Sequence, residues 1–352
     1  MTYINLNDYA KAAKEHLTPA AYEYYVGGAG DNLTVSENQA AFQRIKLLPR
    51  MLVDVSNRDL QTSILGHGID FPVIVAPTAM AALAHPDKEV AIARAVANVG
   101  SIMTLSTMST TSMEEVSKIG ANMWFQLYVH KDRGMTKNLI ERAEAAGFSA
   151  LVVTVDLPVV GYREALMRQP LVVPDGMELA NLAQYWNQDE YPSVNHYVAA
   201  QFDPSLTWAD IEDFVSSTTL PVLIKGILRP DDAERAVASG ASGIIVSNHG
   251  GRQLDTVVTG IEALPYVVEA VDDAIDVLMD GGVRRGTDIL KALALGANAV
   301  LIGRPVLWGL AVDGQAGVEK VFAILRKEYD IALANAGVQS SKSVPRDIIF
   351  KG

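Results

Sequence analysis

Uninterrupted apolar runs recur along the chain and alternate with stretches of helical periodicity. A short run that is apolar at every position, rather than at every second one, is typical of a strand covered on both faces. Several helical stretches end at a glycine directly before the next apolar run, which is a common way for a helix to end. Eight runs are therefore predicted to be strands, and they cover residues 72–76, 101–105, 123–129, 150–155, 221–224, 243–246, 276–279 and 299–302.

The helical stretches follow these strands one by one. Eight β-then-α units predict an α/β fold of the (β/α)8 TIM-barrel type. An open doubly wound sheet is the competing arrangement, but its G-x-G-x-x-G fingerprint is absent after the first strand. The predicted helices cover residues 88–98, 113–118, 136–146, 208–216, 231–239, 261–271, 287–295, 306–309 and 317–336.

No linker rich in proline, glycine or serine divides the chain, so we expect residues 1–352 to form a single domain. We expect an N-terminal helical extension (1–70), the barrel (71–337) and a C-terminal tail (338–352). The connection after the fourth strand is too long for a simple crossover, and its segment 168–204, rich in tyrosine, predicts a lid loop above the barrel. The alternative is a surface insertion with no catalytic role.

Composition narrows the classes of function. The 352 residues are 49% hydrophobic and 20% charged, which is ordinary for a soluble globular protein. The net charge of −12 comes without any block of lysine and arginine, so nucleic acid and anionic membranes are poor partners. The chain has no cysteine, which excludes disulfides and thiolate metal sites, and we expect no metal centre. We recognise neither a membrane-spanning run nor a targeting signal, and we expect a cytoplasmic protein.

Polar or small residues stand at the end of every predicted strand. In a barrel of this type, the carboxyl ends of the strands form the active site. Each residue alone has a structural explanation, such as a bond to a nearby backbone group, although a buried lysine is rarely tolerated without a partner. Their joint occurrence at eight strand ends favours a functional site. The residues are Thr78, Ala79, Ser106, Gln126, Tyr128, Thr154, Asp156, Lys225, Ser247, His249, Asp280, Gly282, Gly303 and Arg304.

The sixth predicted strand runs directly into Ser-Asn-His-Gly-Gly-Arg-Gln-Leu-Asp at 247–255. Histidine is the side chain best suited to moving a proton near neutral pH, and glycines let a ligand approach the backbone closely. An arginine can bind a carboxylate through two parallel hydrogen bonds. His249 and Arg252 therefore predict a base and an anion clamp in one loop, which suits chemistry on a small acid.

The last two predicted strands end in glycines accompanied by arginines. Gly282 and Gly303 leave backbone N–H groups accessible to an anion, and Arg284 and Arg304 add positive charge. The loops after the seventh and eighth strands are where barrels commonly bind phosphate. The alternative is that these are plain turns with surface arginines.

Together, these motifs resemble the FMN-dependent α-hydroxy-acid oxidases, most closely the compact glycolate and L-lactate oxidases. The likeness runs from Tyr9 to about Gly337, and the segment 247–255 is its most specific signature. The supporting motifs are Tyr24-Tyr25, Gly28-Ala29-Gly30-Asp31, Pro77-Thr78-Ala79, Gln126-Leu127-Tyr128, Thr154-Val155-Asp156, Ile224-Lys225-Gly226 and Asp280-Gly281-Gly282.

The resemblance implies FMN over the mouth of the barrel. Lys225 would lie by N1 and the C2 carbonyl of the flavin, and Asp280 would hold the ribityl chain. The phosphate would be held by Arg284, Gly303 and Arg304. The other implied cofactor-binding residues, most of them around the flavin ring, are Thr78, Ala79, Ser106, Gln126, Thr154, Ser247 and Gly282.

The resemblance also implies a place for the substrate. His249 would be the base, with Asp156 behind it and Tyr128 near the substrate hydroxyl. The substrate carboxylate would be held by Tyr24, Arg163 and Arg252.

Three positions near the side-chain end of the implied substrate pocket bear on specificity. Position 108 is Met where plant glycolate oxidases have Trp, position 160 is Val where they have Leu, and position 81 is Ala. Smaller or more flexible groups leave room for a methyl, so Ala81, Met108 and Val160 make lactate plausible beside glycolate.

These implications lead to one expected activity and two alternatives. We expect FMN-dependent oxidation of a small (S)-2-hydroxy acid, L-lactate or glycolate, with O2 reduced to H2O2, by a homotetramer. The first alternative is a 2-hydroxy-acid dehydrogenase that uses another acceptor or acts on larger acids such as mandelate. The second is a phosphate-ligand isomerase or aldolase with Lys225 as a Schiff-base nucleophile. Hydride transfer and α-carbanion formation both fit the same residues.

Overall fold

Eight parallel strands close into a barrel in a computed structural model that describes residues 3–169, 171, 173–174, 176–186, 190–191 and 193–351. A two-stranded antiparallel hairpin, β1 (Thr62–Ile64) and β2 (His67–Ile69), precedes the barrel. The barrel strands are β3 (Val73–Val75), β4 (Ile102–Ser106), β5 (Asn122–Leu127), β6 (Ala150–Thr154), β7 (Val222–Ile227), β8 (Gly243–Val246), β9 (Asp276–Asp280) and β10 (Ala299–Ile302).

Each strand pairs in parallel with the next, and β10 pairs with both β9 and β3 to close the ring. The eight predicted strands and the TIM-barrel fold are therefore confirmed. The barrel interior is filled by apolar side chains from alternate strand positions, as in the packed layers of this architecture, and the hairpin contributes Ile64 and Ile69 to the same cluster. The interior is thus a solid core that holds the strand ends in place.

Helices surround the barrel. Three of them, α1 (Leu6–His16), α2 (Pro19–Val26) and α3 (Leu33–Arg44), precede the first strand, as the predicted N-terminal helical extension requires. The others are α4 (Lys88–Val99), α5 (Met113–Ser117), α6 (Arg133–Ala145), α7 (Glu164–Arg168), α8 (Val194–Gln201), α9 (Trp208–Ser217), α10 (Pro230–Ala238), α11 (Gly260–Val271), α12 (Gly286–Ala294) and α13 (Arg304–Ala336).

The two predicted helices after the last strand lie on either side of a kink within α13. The backbone at Asp313 and Gly314 is not helical, and it separates the two predicted segments. Gly314 has a φ of 52°, which suits glycine. The prediction of two helical segments is therefore confirmed, although the break between them is only a kink. Within the described residues, the structure has no helix long and apolar enough to span a membrane.

The long connection after β6 carries secondary structure of its own. It contains α7, a short 3-10 helix at Ala180–Leu182, and α8. The end of α8 is tied to the end of β5, because Lys131 N–H donates to the Gln201 carbonyl and Asp203 N–H donates to the Val129 carbonyl. Of the predicted lid segment 168–204, residues 170, 172, 175, 187–189 and 192 lie outside the described part of the chain.

Candidate active site

A cavity opens at the carboxyl ends of the barrel strands. It encloses about 1200 Å³ of space when its open mouth is counted. Most of the site residues predicted from the sequence line it, although they come from positions as distant as Tyr24 and Arg304. Those that line it are Tyr24, Thr78, Ala79, Ser106, Met108, Tyr128, Thr154, Val160, Arg163, Lys225, His249, Arg252, Asp280, Gly282, Arg284, Gly303 and Arg304.

His249 and Asp156 form a close pair at one side of the cavity. Nδ1 of His249 lies 2.8 Å from Oδ1 of Asp156, and both side chains are largely buried. His249 has a positive φ of 57° and its backbone N–H donates to Ser247 Oγ at 3.0 Å, so the loop after β8 fixes the ring from behind. Gly226 makes room for the carboxylate, because a Cβ there would lie 2.6 Å from Cβ of Asp156.

The charges of this pair are set by burial and by neighbours. Burial lowers the pKa of His249, and although Asp156 raises it, the net result is below the ordinary value. Burial raises the pKa of Asp156, but its interactions with His249 and with the charge of Lys225 outweigh this, so that pKa lies below its usual range. The arrangement therefore provides a neutral imidazole beside an ionised carboxylate, which suits a general base.

Tyr128 lies beyond His249, with its hydroxyl 3.5 Å from Nε2 of the imidazole. Its ring stacks on Phe202 at a centroid distance of 4.8 Å, and Phe202 directly follows α8. Burial raises the pKa of the Tyr128 phenol, as does the charge of Asp156. Tyr128 thus keeps its proton and can donate a hydrogen bond into the cavity.

Lys225, Ser247 and Asp280 form a buried chain of hydrogen bonds near the carboxyl ends of β7, β8 and β9. Lys225 Nζ donates to Ser247 Oγ at 2.9 Å, and Ser247 Oγ donates to Asp280 Oδ1 at 2.6 Å. Burial lowers the pKa of Lys225, but the charges of Asp280 and Asp156 outweigh it and the pKa lies above its usual value. A lysine that stays protonated is a poor Schiff-base nucleophile, which argues against the aldolase alternative.

Arginines meet at the other side of the cavity. Arg163 donates to the Arg252 carbonyl at 3.0 Å and to Gln253 Oε1 at 2.7 Å. Arg252 donates to the Tyr24 carbonyl at 2.7 Å, and Arg304 donates to the Tyr25 and Gly250 carbonyls at 3.0 Å. All these acceptors are neutral, and among the described residues no carboxylate forms an ion pair with any of the three guanidinium groups.

The concentration of unpaired positive charge shifts the arginine pKa values. Burial lowers the pKa of Arg163 to about 10, and the nearby charge of Arg252 adds to the effect. Burial and the charges of Arg252 and Arg284 hold the pKa of Arg304 well below its usual range. Burying charges without a counter-charge is costly, so this cluster indicates a site that receives anionic groups.

Two buried polar atoms, one in the cavity wall and one directly behind it, have no hydrogen-bond partner among the described residues. Gln126 Oε1 accepts from Ser106 Oγ at 3.2 Å, while its Nε2 is buried without a partner, and so is Thr154 Oγ1. A buried amide donor and a buried hydroxyl without partners indicate a polar ligand at these positions. The edge of a flavin ring has both acceptors and a donor, so these atoms fit it.

The opposite end of the cavity fits a phosphate. Gly281 and Gly282 have φ values of 91° and 85°, and a Cβ at Gly282 would lie 1.8 Å from the Asn38 carbonyl oxygen. Only glycine is compatible with this turn, which directs backbone toward the cavity beside Arg284 and Arg304. The unpaired polar atoms of Gln126 and Thr154 match the ring of FMN, and the glycine turn beside Arg284 and Arg304 matches its phosphate.

Four predicted site residues do not line the cavity. Asp156 lies behind His249 as expected, and Gln126 and Ser247 contact the residues that do line it. Ala81 was predicted in the substrate pocket but does not line the cavity. It is fully buried, and its N–H donates to Glu89 Oε1 at 3.2 Å. Because Met80 has a φ of 57° and turns the chain, Ala81 enters a 3-10 helix that packs against the core rather than the pocket.

Several residues that line the cavity were not predicted as site residues. Leu157 directly follows Asp156, and Tyr25 stands in the Tyr24-Tyr25 motif, so both could have been inferred from the sequence. Leu307, near the start of α13, also lines the cavity. Val194, Asn195 and Val198 had no local signal, because α8 reaches the cavity only through tertiary packing.

Known proteins share this sequence and fold. An L-lactate oxidase from a Nostoc species is 52% identical over 351 residues, which cover 97% of this chain and 96% of that protein. Glycolate oxidase from Spinacia oleracea is 47% identical over 99% of this chain and 96% of its own length. The crystal structure of mandelate oxidase superposes with a TM-score of 0.93 at 42% identity, covering 98% of both chains.

A sequence model of a family described as FMN-dependent dehydrogenase matches residues 13–351. The match spans the whole barrel and every residue that lines the cavity. The chain belongs to the FMN-dependent dehydrogenase family, and FMN is its cofactor.

Proposed function

We propose that the protein oxidises small (S)-2-hydroxy acids, L-lactate and glycolate foremost, to 2-oxo acids and passes the electrons to O2. The balanced reaction consumes one hydroxy acid and one O2 and yields one 2-oxo acid and one H2O2. The observation that carries the proposal is His249, paired with Asp156, in a cavity that is also lined by guanidinium groups without a carboxylate partner among the described residues. Relatives named L-lactate oxidase and glycolate oxidase, at 52% and 47% identity, support the same reaction.

The residues that would hold FMN divide into two groups. Gln126, Thr154 and Lys225 would bind the ring edge, with the Lys225 charge near the atoms that become negative on reduction. When bound, FMN supplies the acceptor for two electrons and the α-hydrogen. The phosphate end would be held by Gly282, Gly303, Arg284 and Arg304, with Asp280 on the ribityl chain, while Thr78, Ala79, Ser106 and Ser247 complete the cofactor-binding set.

His249 would take the proton of the substrate hydroxyl. Nδ1 faces Asp156, so Nε2 is the nitrogen directed toward Tyr128 and the cavity. The imidazolium that forms is stabilised by the Asp156 carboxylate, which also fixes the tautomer of the neutral ring. Tyr128 keeps its proton and would donate a hydrogen bond to the oxygen at which negative charge develops.

The substrate carboxylate would lie between Arg163, Arg252 and the Tyr24 hydroxyl. Arg252 also lies over the Tyr24 ring at 5.2 Å, so the two side chains support each other. Because the guanidinium groups are anchored to carbonyls, they are already oriented before an anion arrives. A fixed carboxylate orients the α-carbon, which raises the rate by restricting the geometry of attack.

The side-chain end of the pocket is apolar. Met108 and Val160 line it together with Leu157, and α8 contributes Val194 and Val198. These side chains suit hydrogen or a short alkyl group at the α-carbon, and one methylene in such a pocket changes binding by about 1–3 kcal/mol. We therefore propose that L-lactate and glycolate are preferred over larger acids such as mandelate.

A substrate panel tests the proposal. Purified holoenzyme is given glycolate, L-lactate, 2-hydroxybutyrate or mandelate, and both O2 consumption and H2O2 formation are recorded. We expect equal molar amounts of the two with L-lactate and glycolate, and the lowest kcat/KM with mandelate. Bleaching of the flavin by L-lactate under argon, without O2 consumption in air, would instead identify a dehydrogenase with another acceptor.

We further propose a cytoplasmic homotetramer. Support for assembly comes from the family resemblance of the sequence and from Val159, Tyr162 and Leu254, which are 65%, 64% and 69% exposed. They belong to connected segments, since Gln253 Nε2 donates to the Val159 carbonyl, and exposed apolar groups of this kind mark protein contacts. The cysteine-free composition is compatible with a reducing compartment. Light scattering of the purified protein tests the tetramer, and fractionation of the source cells tests the cytoplasmic location.

A further inference from the structure

We propose that Trp308 is a positioning residue for FMN binding, because its indole ring holds the Arg284 guanidinium in the orientation that recognises the phosphate. The inference rests on the proposed placement of the cofactor phosphate beside Arg284. Trp308 itself does not line the cavity, and it was not among the residues that the sequence suggested.

The two side chains stack across neighbouring loops. The Arg284 guanidinium lies over the Trp308 ring at 4.8 Å from the centroid. Arg284 is in the loop between β9 and α12, and Trp308 is in the first turns of α13, directly after β10. The stacking therefore joins the two loops that carry the proposed phosphate site, and Leu307, the neighbour of Trp308, lines the cavity.

Arg284 has few other restraints. Its Nη1 donates to its neighbour, the Val283 carbonyl, at 2.8 Å, and no carboxylate in the described residues forms an ion pair with the guanidinium. Asp288 accepts from the backbone N–H groups of Arg284 and Arg285, each at 2.9 Å, and not from the Arg284 guanidinium. Burial lowers the pKa of Arg284 to about 10, as expected for a charge that lacks a counter-ion. The flat face of the indole is thus the main contact that orients its free donors.

The ring rather than the indole N–H provides this contact. Trp308 is 5% exposed, and its Nε1 is buried without a described partner. A buried donor without an acceptor is destabilising, so a core position alone would favour Phe or Leu. A guanidinium stacks best on the indole of Trp, which accounts for tryptophan here despite the unsatisfied N–H.

A flavin exchange experiment isolates the phosphate contribution. FMN-loaded enzyme is equilibrated with known mixtures of FMN and riboflavin, and the bound flavins are released and measured by chromatography. The bound ratio gives the preference for the phosphate-bearing flavin. For Trp308→Leu we expect this preference to fall about tenfold, and for Trp308→Phe about threefold, because a phenyl ring retains part of the stacking.

Two further variants make the result decisive. Phe322→Leu truncates another buried aromatic side chain of α13 that contacts Phe71 rather than Arg284, and it should lower the melting temperature without changing the preference. Arg284→Gln should lower the preference more than either Trp308 variant. If Arg284→Gln leaves the preference unchanged, the phosphate placement is wrong. If Arg284→Gln lowers it and Trp308→Leu does not, only the role of Trp308 is refuted.

Discussion

The proposed base, His249, has surroundings that shift its pKa in opposite directions. Burial lowers the pKa of the imidazole, Asp156 raises it and Lys225 lowers it again, with a net result below the ordinary value. The ring is therefore neutral at pH 7 and able to accept a proton. Once it has accepted one, the Asp156 carboxylate at 2.8 Å provides the compensating charge. A histidine in this loop was predictable from its position at a strand end, but its pairing partner, 93 residues away, depends on the register of the barrel.

Asp156→Asn separates these effects. We expect kcat/KM to fall by about 100-fold or more, because the imidazolium loses its stabilising charge and the ring loses its fixed tautomer. Removing a carboxylate that raises the pKa of His249 should also move the acid limb of the kcat/KM profile to lower pH. The measurement is steady-state oxidation of L-lactate from about pH 5 to about pH 9.

The control for this variant is Asp87→Asn, whose carboxylate is 62% exposed and does not line the cavity. It should leave both the rate and the profile unchanged. An acid limb that moves to higher pH in Asp156→Asn, or a rate equal to that of the wild type, would refute the proposed pairing.

At the scale of elements, the N-terminal extension supports the loop 247–255, which carries His249, through hydrogen bonds. Asp255 accepts hydrogen bonds from the backbone N–H groups of Asp31, Leu33 and Thr34 where α3 begins. Asn38 lies in the middle of α3, and Asn248 lies in the loop after β8. Their side-chain amides are buried and donate to each other at 3.0 and 2.8 Å. Asn248 directly precedes His249, so α3 contributes to the position of the proposed base through Asn248.

Asn38→Leu removes the hydrogen bonds between Asn38 and Asn248 with little change in side-chain volume. Leaving the Asn248 amide without its partner should lower the free energy of unfolding by about 1–3 kcal/mol. Because His249 then loses part of its support, we expect kcat/KM for L-lactate to fall about tenfold. Denaturant unfolding and steady-state kinetics measure the two effects. Ser36→Ala, an exposed change in the same helix, is the control.

A loss of stability in Asn38→Leu with unchanged kcat/KM would show that the amide pair supports only the fold. Such pairs are not visible in a sequence, since Asn38 and Asn248 are 210 positions apart and each is compatible with an ordinary turn or cap. The eight barrel strands and the helices that follow them were predictable because each is encoded by local periodicity, whereas the hairpin β1–β2 and the helices α7 and α8 were not predicted. The lining contributed by α8 was not, because Val194 and Val198 look like ordinary core positions until the helix is placed over the barrel.

At the scale of the whole molecule, one rule explains most of what the sequence could predict. Parallel strands in a barrel all end on the same rim, so polar residues at eight strand ends must converge. Lys225, Asp280 and Gly303, predicted by this rule, line one cavity. Ala81 was expected in the pocket from the family resemblance rather than from this rule, and it does not line the cavity because Met80, in a left-handed conformation, turns the chain. A backbone conformation of that kind leaves no mark in the apolar pattern. Register, kinks and long-range side-chain pairs therefore needed the structure.

The stability of the whole chain should depend on pH through a histidine outside the catalytic pair. His130 is fully buried, its Nε2 lies 3.4 Å from the Tyr197 hydroxyl, and its ring packs edge-on against Phe202. Burial lowers its pKa to about 4. In the unfolded chain the pKa is about 6.5, so between these values the unfolded state binds a proton that the folded state does not. Stability is therefore retained above pH 6.5 and lost as the pH falls toward 4, by roughly 3 kcal/mol.

His130→Phe removes this titration while keeping a ring against Phe202 and Tyr197. Whatever its stability at pH 7, the variant should gain relative to the wild type as the pH falls from about 6.5 to about 4, because the carboxylates that titrate there are common to both proteins. Melting temperatures across this range measure the difference, and His16→Phe, at an exposed position, should show no such trend. If the difference in melting temperature between His130→Phe and the wild type does not change with pH, His130 binds its proton as readily in the folded protein as in the unfolded chain, and the expected pKa shift is refuted. Phe202 contacts both His130 and Tyr128, so a charge on His130 would be separated from the candidate active site by the Phe202 ring alone. A neutral His130 therefore adds no positive charge close to His249.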